Sequence, residues 1–354
     1  MAIGLDIGTE FIVATRDGKN NNTIRDAFFT VNIQAKQMLK CPYLEKKDGN
    51  GKTTELIIVG DDALTFASIF QKEVRRPLFQ GTISPNERLN AKQVLGSIIS
   101  KVLGAPKKKG EICSFSVPAA SIDVDNDIVY HTGTFVSIVK ECGYTPDPTN
   151  EAFAVILAEC KPEENYTAFG ISFGAGMTNV CLAYMGVPIV DNDMGGFEFS
   201  VARGGNWIDL KSAKALGITS ASITQIKEKG IDLLNPSTGD KDEIDERTAI
   251  VHHYDSLIKY VHDKMVERLV LMKGSINLPG PVPIIISGGT SMPNGFIELF
   301  EDCLKKSDKF PFKISEVRRA KNPLKAVANG LLVKAKMEEI DSKEGSADES
   351  DLVE

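Results

Sequence analysis

Glycine interrupts β-forming sequence at three places in this chain, and the order of the three constrains the fold more than any other feature. The first is Gly4-Leu5-Asp6-Ile7-Gly8-Thr9-Glu10, where a strand reaches a turn at Gly8 and continues through Ile12-Val13-Ala14. The second lies about 165 residues later, at Ser172-Phe173-Gly174-Ala175-Gly176-Met177-Thr178-Asn179, inside a stretch from Tyr166 to Leu182 that again reads strand, glycine turn, strand. The third is Ile284-Ile285-Ile286-Ser287-Gly288-Gly289-Thr290-Ser291-Met292-Pro293, a buried strand that ends on two glycines and opens a helix. Two strand–turn–strand units, each followed by helices, predict two α/β domains of related design, although the halves are not alike in raw sequence.

The turns have a shared chemical use. A hairpin turn with glycine lets backbone N–H groups come close to phosphate oxygens. Thr9 adds a hydroxyl, and Asp6 stands where a carboxylate can orient magnesium-bound water, since Mg²⁺ keeps several waters and takes few direct carboxylates. The small residues from Ser172 to Gly176 can wrap a phosphate. Gly288 and Gly289 remove side chains that would collide with a flat ring or a ribose, and the helix start beyond them adds partial positive charge. Taken singly, each motif also reads as an ordinary hairpin or strand-to-helix turn.

Between the motifs the chain is ordinary. A length of 354 residues suggests two domains, and 42% apolar with 25% charged residues is globular composition. The net charge of −7 argues against nucleic-acid binding, and the run Lys107-Lys108-Lys109 reads as a solvated loop. Six cysteines without a CxxC pair read as reduced thiols of a cytosolic protein, and four histidines without HExxH spacing leave no zinc site. Asp6 breaks any N-terminal secretory pattern, and no apolar run reaches the ~18 residues that span a bilayer. Residues 19–56 read as turns and exposed loops. Ser84-Pro85-Asn86-Glu87 reads as a capping box ahead of a helix carrying Leu89, Val94, Leu95, Ile98, Ile99, Val102 and Leu103. A strand over Ile112 to Val117, helices over about 124–142 and from Glu151, polar helices over 206–277 and a last helix from Pro323 to near Met337 complete the pattern. Residues 338–354 carry eight acidic residues and one lysine, which predicts a disordered tail.

In this order and spacing the three motifs resemble the phosphate-1, phosphate-2 and adenosine motifs of the actin, heat-shock-chaperone and sugar-kinase superfamily, over residues 1–337. Thr149-Asn150-Glu151-Ala152-Phe153-Ala154 resembles the interdomain helix of bacterial actins and chaperone ATPases. Ile226-Lys227-Glu228-Lys229 resembles the actin segment over adenine and ribose. Gly204-Gly205-Asn206 with Asp209 resembles the turn that starts the fourth subdomain. Pro323 to Gly330 resembles the closing helix, and Arg75-Arg76-Pro77-Leu78-Phe79-Gln80-Gly81 resembles a stretch of prokaryotic actins, the magnetosome-filament and rod-shape types being nearest.

The resemblance implies an actin-like, ribonuclease H-like α/β fold of two domains with a nucleotide cleft between them. The first domain would hold residues 1–150 and 323–337, with a small subdomain at about 32–78. The second would hold 151–322, with a helical subdomain at about 206–278. It implies ATP or ADP with Mg²⁺ as cofactors. Gly8, Thr9, Glu10, Gly174, Ala175, Gly176, Met177, Thr178, Gly204, Gly205, Lys227, Glu228, Gly288, Gly289, Thr290 and Met292 would bind nucleotide, Asp6 would hold the metal through water, and Glu151 would polarise the attacking water. With Glu151 and Asp6, the catalytic positions would include the residue that opens the phosphate-2 motif, an aspartate in the family; here it is Ser172, and Asn179 replaces a frequent acidic residue, so the resemblance implies either slow hydrolysis or compensation by another residue of this branch. The function implied is a cytoplasmic filament of identical subunits stacked head to tail, with filament-binding regulators as further partners. A monomeric nucleotide switch, such as a reactivating chaperone or an assembly ATPase, stays open beside it.

Overall fold

The computed structural model describes residues 2–191, 195–237, 241–272, 274, 276–307 and 309–351. The chain divides into two compact units, one of Met1–Ser116, Asp127–Pro148 and Leu331–Glu354, the other of Val117–Asn126 and Thr149–Gly330. The segment 117–126 thus belongs to the second unit, and the last helix divides at residue 330.

The first unit is built on a five-stranded sheet in the order Thr145–Asn150, Ile112–Val117, Ala2–Ile7, Phe11–Thr15, Asn21–Arg25. Ala2–Ile7 pairs antiparallel with Phe11–Thr15 and parallel with Ile112–Val117. The helix Arg88–Leu103 buries Val94, Leu95, Ile98, Ile99, Val102 and Leu103, the three- and four-residue spacing of an apolar face. Its start differs from the capping box. Pro85–Glu87 is a 3₁₀ turn, and the Glu87 carboxylate accepts from Arg75 at 2.8 and 2.5 Å instead of reaching back to the cap.

Residues 19–56 are not chiefly loop. They hold the strands Asn21–Arg25, Phe28–Asn32 and Tyr43–Lys47 and the start of Thr53–Val59. The last three form a separate antiparallel sheet with Thr53–Val59 central, covered by the helix Asp61–Ile69. Phe29, Val31, Leu56, Ile58, Ala63 and Ala67 make its core. A sheet buried on one face needs an apolar residue only at every second position, so its strands look polar in a composition window.

The last helix, Ala326–Asp351, does not end near Met337. It runs on helically through most of the stretch expected to be disordered, and residues 352–354 lie outside the described residues. Glu338, Glu339, Lys343, Glu344 and Ala347 are strong helix formers, which an acidic count does not reveal. Glu338 pairs with Lys334 one turn back, and Glu339 with Lys108 at 2.6 Å.

The second unit repeats the plan. Its sheet runs Val187–Pro188, Thr178–Tyr184, Ala168–Phe173, Val282–Ser287, Ile314–Arg319, and Glu198–Val201 also pairs with Thr178–Tyr184. Ala168–Phe173 is antiparallel to Thr178–Tyr184 and parallel to Val282–Ser287. Every residue of Ala168–Phe173 and Val282–Ser287 is buried, as in a strand covered on both faces. Phe173 packs edge-on against Phe296 and Phe300, with centroids at 5.0 and 6.3 Å, which anchors the strand end on the helix Phe296–Lys305. The helices Gly205–Leu216, Ser220–Glu228 and Lys241–Leu271 fill the region expected to be polar and helical. Ile314–Arg319 was not foreseen. It is a half-buried edge strand whose Ile-Ser-Glu-Val-Arg-Arg sequence carries little strand signal.

Two glycines fix the short helix Glu151–Glu159. A Cβ on Gly170 would stand 2.2 Å from the Ala152 carbonyl oxygen, and one on Gly330 would stand 1.7 Å from that of Ala154. The helix is therefore gripped between strand and closing helix at distances only glycine permits.

Candidate functional site

In the first unit the site residues sit on the opening hairpin. The Gly8 N–H donates to Phe11 O at 3.0 Å and closes the turn. Gly8 does not need a positive φ; it needs room, because a Cβ would stand 2.9 Å from that same oxygen. Asp6 accepts from the Ser116 hydroxyl at 3.1 Å, and the same hydroxyl oxygen accepts from the Ile7 N–H at 2.7 Å. Burial pushes the Asp6 carboxyl up to about 7, against the lowering effect of the Ser116 bond. Thr9 is buried. The Glu10 carboxylate lies between Arg25 and Arg76, at 2.7 Å from Arg76. Arg76 also donates to Thr9 O at 3.3 Å and Asp26 O at 3.2 Å, so one guanidinium ties the turn to the end of a neighbouring strand. Beneath it Asp26 is fully buried, and burial raises its carboxyl well above the usual range while Arg76 opposes this.

The second unit brings most of the remaining residues together. The Gly174 N–H donates to Met177 O at 2.9 Å, closing the turn as Gly8 does. The Gly174 carbonyl accepts from the Gly205 N–H at 3.0 Å and the Thr290 hydroxyl at 2.8 Å, and the Ala175 carbonyl accepts from the Asn206 N–H at 2.8 Å. In a trans peptide the N–H points opposite to the preceding C=O, and no cis peptide occurs among the described residues. With both carbonyls drawn toward residues 205, 206 and 290, the N–H groups of Ala175 and Gly176 face the other way, a pair of donors fit for an anion. Gly204 must be glycine, since a Cβ there would stand 2.5 Å from the Gly174 oxygen. Gly288 adopts φ 93° and its Cβ would stand 2.1 Å from Phe173 O, so the third glycine motif is seated on the strand that carries the second. Gly289 lies against Leu324, and Met292 is half exposed just beyond. Thr178 donates to Arg203 O at 2.8 Å.

Lys227 reaches this cluster through a buried ion pair. Its Nζ lies 2.6 Å from Asp209 and donates to the Gly205 carbonyl at 3.2 Å, while Thr224 donates to Asp209 at 2.9 Å. Glu228, one residue on, is exposed on the same helix.

Glu151 is the first residue of its helix. Asn150 caps it by accepting from the N–H groups of Ala152 and Phe153 at 2.8 and 3.0 Å. The Glu151 carboxylate accepts from the Asn179 side-chain amide at 3.0 Å. Asn179 is fully buried and faces Ser172, itself buried, across the hairpin. Among the described residues no group of three or more His, Cys, Asp and Glu stands ready to hold a metal, and no helix is long and apolar enough to cross a membrane.

Sequence reasoning missed Ser116, Arg76 as a clamp, Asp26 and the amide contact from Asn179 to Glu151. Ser116 had a signal, since Ser114 and Ser116 alternate with Cys113 and Phe115 in a buried strand, and a hydroxyl on a buried face needs a partner. The Asn179 contact had none, because it depends on how a helix start meets a hairpin far along the chain.

No curated protein matches this sequence. Among solved structures the chain is similar to a MamK double helical filament (TM-score 0.67, 16% identity, 94% of this chain and 98% of that one). It is also similar to MreB5 of Spiroplasma citri bound to ADP (0.64, 17%, 96% and 98%) and to a non-polymerising MamK mutant bound to AMPPNP (0.56, 16%, 94% and 98%). These likenesses span nearly the whole chain and give it the actin-like fold. The Volactin family matches residues 1–335, a span that takes in all three glycine motifs, and the chain belongs to that family.

Proposed function

We propose that the chain is an actin-like ATPase that binds Mg-ATP and polymerises head to tail into a cytoplasmic filament, with assembly following the nucleotide. The observation that carries this reading is the second unit's loop, where the Gly174 and Ala175 carbonyls are drawn back and two amides face outward. Such a turn suits a nucleotide phosphate. The filament and the ADP and AMPPNP complexes named for the similar structures add weight to it.

In this reading Gly8, Thr9 and the 174–178 loop bind phosphates, with Glu10 holding its turn in shape. Gly204, Gly205, Lys227, Glu228 and the turn from Gly288 to Met292 receive ribose and base. Asp6 fits a water-mediated magnesium site, because a carboxylate whose charge is disfavoured by burial gains from a nearby cation. The ion, when bound, offsets charge on the phosphates. Glu151 orients a water whose oxygen bonds to the γ-phosphorus as the bridging oxygen departs with ADP, and takes up the proton that the water loses. Ser172 supplies no charge where the resemblance implies aspartate, so turnover is slow.

Sedimentation and negative-stain imaging with and without Mg-ATP test the reading. Pelleted filaments with Mg-ATP, together with a raised melting temperature, are expected. Nucleotide binding without a pellet would favour the monomeric switch. No thermal shift at millimolar Mg-ATP would remove nucleotide binding altogether.

A further inference from the structure

The helix that carries Glu151 is fixed by its packing, but packing of the backbone does not orient a carboxylate. Two side-chain torsions separate the Cα from the carboxyl group, and a third turns its oxygens. A contact that addresses this freedom comes from Asn179, whose side-chain amide donates to Oε2 at 3.0 Å.

The Asn179 amide is itself locked. Its Oδ1 accepts from the Ala119 N–H at 3.2 Å, which directs the NH₂ group to the opposite side, toward Glu151. The reverse orientation would set oxygen against carboxylate and N–H₂ against N–H. Ala119 in turn is pinned to the strand Glu198–Val201: Ser200 donates to Ala119 O at 2.9 Å and Ala120 O at 3.0 Å, and Ile122 donates to Ser200 O at 3.0 Å. Asp123 extends the attachment by accepting from the Ala202 N–H at 2.8 Å. Asn179 is fully buried, so water does not compete for the amide.

We infer that Asn179 is a positioning residue for Glu151, holding the carboxylate toward the water it orients by an amide that Ala119 locks in one sense. This rests on the ATPase reading above. It gives the neutral residue a purpose. An acidic side chain at 179 would set a second carboxylate about 3 Å from Glu151, and two carboxylates at that range share a proton instead of both ionising. Ser172, opposite Asn179 in the hairpin, is neutral as well, so neither position brings a like charge to Glu151.

The test compares Asn179→Asp, Asn179→Ala, Glu151→Ala and the double variant Asn179→Asp/Glu151→Ala in the full-length protein, by phosphate release and by Mg-ATP thermal shift. Both Asn179 variants should lower kcat on the order of 10²-fold, the scale of a positioned base, with KM for ATP nearly unchanged. In the Glu151→Ala background Asn179→Asp should cost nothing more, because the group it positions is gone. A wild-type kcat in both Asn179 variants, or an additive loss in the double variant, overturns the inference while leaving the ATPase reading intact. Wild-type protein that binds but never hydrolyses ATP removes both. If neither Asn179 variant shows a cooperative melt near that of wild type, the amide serves the fold and the inference falls.

Discussion

The strands Ala2–Ile7 and Ala168–Phe173 hold the same place in their two sheets, and the comparison isolates what differs between the units. Each is the first strand of an antiparallel hairpin and each has a parallel strand on its other side. Each hairpin closes by a glycine N–H donating three residues on, Gly8 to Phe11 at 3.0 Å and Gly174 to Met177 at 2.9 Å. Two residues before each glycine the match ends, with Asp6 in one unit and Ser172 in the other. A serine on the neighbouring parallel strand accompanies both. Ser116 donates to Asp6 at 3.1 Å, whereas Ser287, in register with Ser172, donates to Pro323 O at 2.9 Å. A shared backbone plan has thus not carried a shared charge plan. In the second unit the hydroxyl anchors the segment leading to the closing helix, and the acid at that end of the sheet is Glu151, brought in from a helix.

The sharpest way to break the comparison is at the glycines. Gly288→Ala adds a Cβ at 2.1 Å from Phe173 O on a residue with φ 93°, and should cost about 4 kcal/mol or more in urea unfolding. Gly8→Ala meets Phe11 O at 2.9 Å without a positive φ, and should cost about 1–3 kcal/mol. Equal costs would mean that the turns are softer than their geometry.

Ser172→Asp tests whether the second unit can accept the first unit's carboxylate. The site is buried and its neighbouring hydroxyl already has an acceptor, so the variant without nucleotide should lose about 1–3 kcal/mol. Unchanged stability would show that Ser287 can turn to the new carboxylate, as Ser116 does to Asp6.

The pH dependence of the two units should also differ. Asp6 in the folded chain titrates near 7, above the 3.8 of an ordinary aspartate. Between these values the folded state binds a proton that the unfolded state does not, so stability falls as pH rises from about 4 to about 7 and levels off above, by at most about 1.4 kcal/mol per pH unit from this group. Asp26 and Glu198, both raised mainly by burial, slope in the same direction. The readout is therefore the difference between wild type and Asp6→Asn. The variant should be the flatter, and Mg-ATP should flatten the wild type by favouring the anion. Identical slopes without nucleotide would show that Asp6 stays ionised throughout. The smallest effect belongs to the end of the last helix. Removing residues 343–354 should change unfolding stability by less than about 0.5 kcal/mol, and a larger loss would show that this acidic stretch packs on the first unit.

Much of the fold was legible because it is written in local patterns. The hairpins at Gly8 and Gly174, the strand into Gly288 and the helix from Glu151 announce themselves through alternation, runs of β-branched residues and turn glycines. What escaped was polar sequence that gains order from its neighbours. Asn21–Arg25 is a strand because Phe11–Thr15 offers it a ladder of hydrogen bonds. Ile314–Arg319 is one because Val282–Ser287 does the same. In sequence Glu87 reads as part of a cap because cap motifs are local, while its partner Arg75 competes for the carboxylate from a segment the motif does not contain.

The sequence by itself determined the number and order of the glycine turns, and with them the two-unit actin-like plan, because a backbone that must bend tightly beside another chain tolerates little but glycine. Only the tertiary structure decided which side chains face one another: Ser116 beside Asp6, Lys227 on Asp209, and Asn179 between Ala119 and Glu151. Those pairings follow from strand register and from the closeness with which Gly170 and Gly330 let two elements press on one short helix. Such distances arise when the whole core packs at once, so no window of neighbouring residues contains them.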